Sequence, residues 1–218
     1  MTIHFPGALG IACAVCLSVA LAGAQATPAN SRATTTYVAE LHALNSKTTG
    51  MPTAGEARFT IKGDSLTISV TARHVAPDMT HLQHFHGFTT SQNATCPTAA
   101  ADVNHDGVID LIETEPTSGT TMVPFTDDPV SMKIVTDSYP KASADGTYQY
   151  RKTVSLSALK AAFAKAFDGQ KLDLGRRVVF IHGVPSTTTL PASAASLGTI
   201  PAQVTVPIAC GKIVLRGK

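Results

Sequence analysis

The sequence predicts an all-β domain, a β-sandwich or barrel with one short helix and one acidic-loop insertion. Several short stretches alternate apolar and polar residues, Gly, Pro and Asp turn signals separate them, and a single stretch carries apolar residues at helical spacing. With 218 residues, 44% hydrophobic and 15% charged, the chain can bury one substantial core, and one folded domain accounts for it.

Taken in order, residues 1–26 read as a signal peptide: an apolar run from Ala8 to Ala22 precedes small residues at Ala22, Ala24 and Ala26. The run is too short and too rich in Ala and Gly for a membrane span. A polar segment, 27–35, leads into the domain at 36–218. There TYVAELHAL (Thr36–Leu44) alternates, and Glu56 to Ala72 reads as a hairpin with Gly63-Asp64 at its tip. Further strands are expected at His81–Phe88, Val130–Asp137, Thr147–Val154, Arg177–His182 and Ile208–Leu215. The helix is SLSALKAAFAKAFDG: Ser155 or Ser157 caps it, Leu159, Phe163 and Phe167 share one face, and Gly169 ends it. The Thr/Ser/Ala/Pro-rich stretch Pro185–Ser196 is expected to be a surface loop.

Lys+Arg 17 against Asp+Glu 15 leaves a formal charge of +2 with no long run of either sign, which argues against nucleic acid or an acidic membrane surface as partner. No feature names a protein partner. Cys13 and Cys16 leave with the signal peptide, so a secreted or periplasmic chain retains Cys96 and Cys210, which are expected to form a disulfide across more than 100 residues. Nucleophile-elbow, phosphate-loop and paired-carboxylate patterns are absent from the sequence, so it offers no hydrolase or nucleotide-binding reading.

Two stretches point to metal ions. In DVNHDGVIDLIE, Asp102, Asn104, Asp106, Val108, Asp110 and Glu113 fall on the ligand positions of an EF-hand calcium loop spanning 102–113, with Gly107 at the sixth position where the chain must reverse. Calcium, a hard cation, takes six to eight oxygens, which these side chains and the Val108 carbonyl can supply. Cys96-Pro97 lies too close upstream for an incoming helix, so the loop is expected to stand alone and to act structurally. In HLQHFHGF, strand periodicity puts His84 and His86 on one face and Phe85 on the other. His182 ends the later stretch RRVVFIH. Three imidazoles from two strands suit copper or zinc rather than calcium, although on pattern alone hydrogen-bonded sheet histidines fit equally well. His42 and His74 are isolated and read as surface or sheet residues, while His105 sits at the fourth loop position, where a side chain faces solvent.

The run HLQHFHGF, Cys96 ten residues after His86, VVFIH and IACGKI together resemble the copper/zinc superoxide dismutase family in order and register. A strand pattern like that of secreted chordin-repeat (CHRD) proteins is similar too. The dismutase resemblance implies a Greek-key β-sandwich or barrel. It implies that His84, His86 and His182 bind copper, that a water, His81 or His105 completes the shell, and that Cys96 pairs with Cys210. His81 also matches a family histidine that supports the site without binding the metal. The chain departs from the family in three places. PTAAAD stands where a bridging histidine belongs, the zinc-loop ligands have no counterparts so a separate zinc site is not expected, and Pro207 replaces an arginine that guides the anionic substrate. The functional expectation is therefore a copper- and calcium-binding protein with weak or no dismutase activity. The alternatives are a non-catalytic calcium-stabilised module and an active superoxide dismutase.

Overall fold

The computed structural model describes residues 1–2 and 33–217, so the expected signal peptide, apart from its first two residues, and most of 27–35 lie outside the described residues. Nine strands carry the fold: β1 (Thr34–Ala43), β2 (Ala54–Lys62), β3 (Ser65–Arg73), β4 (Gln83–Gly87), β5 (Thr120–Pro124), β6 (Thr147–Ser155), β7 (Val178–His182), β8 (Pro207–Lys212) and β9 (Val214–Gly217). They pair antiparallel in the order β5-β4-β7-β8-β1-β2-β3-β6, with β9 also on β1. The sheet curls so that β1 belongs to two halves. Its Thr34–Leu41 stretch pairs with β2 and its end, His42–Ala43, with β8. The non-sequential neighbours β3–β6 and β4–β7 make the chain cross between halves, as a Greek-key layout requires.

The core lies between the halves. Phe59 on β2 packs 5.3 Å from Phe85 on β4 and 5.9 Å from Phe125, and Leu41, Ile68, Ile181 and Ala209 close around them. Strands β2 and β3 bury one face and leave the other to solvent, which is why their sequences alternate. By contrast β4 and β7 are buried on both faces. Their inner residues (Phe85, Val179, Ile181) join the main core, while Val178 and Phe180 form a second cluster with Cys210 and Ala94 under the loops that cover the outer face.

Among the described residues the α-helical segments are α1 (Ser46–Thr49), α2 (Leu111–Ser118), α3 (Leu156–Ala166) and α4 (Ala202–Thr205). The expected helix is α3, capped by Ser155 accepting from the Ala158 amide, with Leu159 and Phe163 buried. Only this one was foreseen; α2 follows directly from the acidic loop, and α1 and α4 are single turns. Among the described residues no helix is long and apolar enough to cross a membrane.

Two expectations need correction. Val130–Asp137 is not a strand: 3-10 turns at Pro129–Ser131 and Thr136–Ser138 occupy it, and Ile134 and Val135 are about half exposed (54% and 50%). Val130 packs on the core from a turn, but Ile134 and Val135 have neither a partner ladder nor a core to cover, and β-propensity without packing does not make a strand. The missing sheet edge is instead β5, directly after α2. The terminal strand also breaks, because Ile213 turns into the core between β8 and β9.

At the end of this sheet order, two phenols of β6 reach the other half. Tyr148 donates to Gln83 Oε1 at 3.1 Å and Tyr150 to the Thr126 carbonyl at 2.7 Å.

Candidate metal centre

The antiparallel pairing of β4 with β7 puts His84 opposite Phe180 and His86 opposite Val178. Residues two apart on a strand share a face, so His84, His86, Phe180 and His182 all project outward, away from the Phe85 core. A register shift between Ile181 and His182 re-aims the last histidine. The rings meet closely: centroids of His84 and His182 are 4.6 Å apart, His84 and His86 4.9 Å, and His86 and His182 5.9 Å. One ring nitrogen from each lies within 4.8 Å of the others, and all three residues are buried.

Hydrogen-bond partners assign the proton on two of the rings. His86 Nδ1 lies 3.0 Å from the Gly119 carbonyl and His182 Nδ1 2.6 Å from the Thr205 carbonyl; a carbonyl only accepts, so each Nδ1 carries the hydrogen. Both Nε2 atoms therefore present lone pairs. That of His182 has no partner, that of His86 meets the Thr121 hydroxyl at 3.2 Å, and Nδ1 of His84 is buried without a partner. Orphaned buried nitrogens are costly, and here they converge. Burial keeps the rings neutral: it pushes His86 down to about 3 and His182 to about 4, and it holds His84 well below its ordinary value, with His182 and His86 adding repulsion. Neutral imidazoles fixed through Nδ1–H to backbone carbonyls are the form in which histidine binds a transition metal.

His81 is also buried, but its ring meets backbone rather than the trio. Its Nδ1 is 3.1 Å from the His182 carbonyl and its Nε2 2.9 Å from that of Ala76. His105 stays exposed on the acidic loop, as do His42 and His74 on the surface. Pro207 pairs with His182 in the ladder.

The acidic loop follows a short 3-10 turn, Ala99–Ala101, and runs into α2. Gly107 takes φ +85°, a conformation that strains any side-chain-bearing residue, at the sixth position. The side-chain oxygens turn inward: Asp102 accepts from the Asp106 and Gly107 amides, Asn104 Oδ1 from Asp106, and Glu113 from Val103 and Asp110. Val108 is buried, and its amide donates to Asp106. Asp110 and Glu113 form a reciprocal capping box at the start of α2. Asn45 clamps the loop to the body through the Ile109 backbone and the Pro207 carbonyl. Cys96 and Cys210 are bonded, Cα atoms 5.8 Å apart, and tie the segment before the loop to β8.

Gly119, Thr121 and Thr205 were not foreseen. Two of them act through carbonyls, which every residue owns, so no residue type marks them. Gly119 leaves the one trace: a Cβ there would sit 2.2 Å from the Gly87 carbonyl, so the close approach that delivers its own carbonyl to His86 needs glycine. Neither a family model nor a curated protein sequence matches the chain.

Proposed function

We propose that this chain is a secreted or periplasmic metal-binding protein of superoxide dismutase-like fold, holding copper through His84, His86 and His182. The observation that carries the reading is the pair of buried, unpartnered nitrogens, His84 Nδ1 and His182 Nε2, in a three-imidazole cluster. An all-nitrogen, carboxylate-free donor set favours copper or zinc over calcium or magnesium. Copper bound there supplies one-electron redox chemistry. The chain's own residues hold the rings neutral, orient them through Gly119 and Thr205, and exclude water. Pro207 offers no cation to draw in superoxide, so dismutase turnover is weak or absent. The disulfide fits an oxidising compartment.

Protein loaded with Cu²⁺ is expected to keep about one ion per chain after desalting, consistent with a single three-nitrogen site. His84→Ala/His182→Ala should keep none; equal retention by the variant overturns the assignment. A superoxide assay on the loaded protein separates a binding protein from an active dismutase.

The same reading gives the loop a structural calcium ion, favoured by the positive φ of Gly107 and the buried Glu113. Chelation should lower the melting temperature of wild type and leave Asp102→Ala/Glu113→Ala unmoved. An unchanged wild-type transition makes the loop an acidic turn and nothing more. A module that binds calcium alone would pass this test and fail the copper one.

A further inference from the structure

Asp110 touches none of the three imidazoles, yet it is tied to both segments that carry the backbone carbonyls facing His86 and His182. Its two carboxylate oxygens have different tasks. Oδ1 accepts from the Glu113 amide at 3.0 Å and caps α2; Oδ2 accepts from the Ala195 amide at 2.6 Å, 85 residues away in sequence. The first contact starts a helix whose last turn closes with the Gly119 amide donating to the Glu115 carbonyl, and the carbonyl of the same Gly119 receives His86 Nδ1–H. The second contact pins the strap that leads into α4. Beside Ala195, the Ser196 hydroxyl lies 2.7 Å from that of Thr205, and the Thr205 carbonyl receives His182 Nδ1–H at 2.6 Å. Ser193 adds a parallel tie to Asp106 at 2.5 Å.

We propose that Asp110 is a positioning residue for the imidazole centre: one buried carboxylate sets the ring orientation of His86 through α2 and of His182 through the 193–205 strap. Asp110 is 3% exposed, so water does not substitute for either contact. This rests on the metal-binding reading above, because ring orientation matters only if the Nε2 lone pairs have a common ligand.

Asp110→Asn separates the two contacts. Asparagine caps helices as well as aspartate does, but it has one acceptor oxygen, and its amide nitrogen would face the Ala195 N–H donor to donor. The cap survives and the strap is released. Ser196→Ala breaks the same path further along, leaving Asp110 and α2 intact.

Co²⁺ is the probe, in calcium-free buffer, with affinity and the visible ligand-field spectrum as readouts. Wild type is expected to bind one Co²⁺, and His84→Ala none. Asp110→Asn should bind about tenfold more weakly, the usual size of an outer contact to a metal-bound histidine, with a shifted spectrum. Ser196→Ala should shift the spectrum in the same direction. Asp137→Asn, at an exposed carboxylate outside this path, should match wild type. Wild type that fails to bind Co²⁺ refutes the metal-binding reading. Wild type that binds, with Asp110→Asn matching it in affinity and spectrum, refutes the role of Asp110 and leaves the centre standing. Should Asp110→Asn not fold, Ser196→Ala decides: a wild-type spectrum overturns the proposal.

Discussion

Metal-free protein taken from about pH 7.5 to about pH 4.5 is expected to lose on the order of 5 kcal/mol of stability. In the fold, burial holds the His86 ring at about 3 and the His182 ring at about 4, whereas unfolded histidine titrates near 6.5. Between those values the unfolded chain takes up protons that the folded rings refuse, so stability falls as pH falls through the window and is full only above it. At about 1.4 kcal/mol per pH unit, each of the two rings contributes roughly 2 to 3 kcal/mol by pH 4.5. His84 shifts in the same direction. Urea titrations at the two pH values check this. His84→Leu/His86→Leu/His182→Leu should flatten the dependence and raise the midpoint at neutral pH, because apolar residues leave no orphaned nitrogens. A metal-free wild type with equal midpoints at both pH values contradicts the burial of neutral rings. Protons compete with metal for the same lone pairs, so metal release should track the same acid range.

Opening Cys96–Cys210 is the second large change expected. The bridge closes a loop across a sequence separation of 114, and in the chain-entropy model its loss costs about 4 to 5 kcal/mol. For a domain of this size that lowers the melting temperature by on the order of 10 to 20 °C. Cys96→Ser/Cys210→Ser, compared with wild type by calorimetry, gives the measurement. The loss should extend to metal affinity, because the bridge anchors the segment that delivers α2 and the Gly119 carbonyl to His86. A variant melting within a degree or two of wild type would place the stabilisation elsewhere.

What the sequence revealed followed from local periodicity. Strands β1 to β3 were legible because one face meets solvent, and the three histidines because positions two apart must share a side. Strand β5 was hidden because it is a five-residue edge ending in Pro124, while 130–137 imitated a strand with exposed Ile134 and Val135. The contact from Asp110 to Ala195 was beyond reach: it joins a side chain to a main-chain amide far along the chain, and only the folded path makes them neighbours. Cysteine pairing needed no path, since Cys96 and Cys210 are the two cysteines among the described residues.

The phenol contacts of Tyr148 and Tyr150 set where this barrel breathes. At that seam the strands themselves meet through side-chain hydroxyls, with one short backbone bridge beside them at Thr80 and Lys141, whereas other junctions in the sheet order carry ladders of amides. A seam of this kind parts without unzipping a strand ladder, at the cost of two phenolic bonds, the backbone bonds of that bridge and some aromatic contact. Water should therefore reach the interior first between β5 and β6, on the flank away from the β1–β8 join, where the disulfide locks β8.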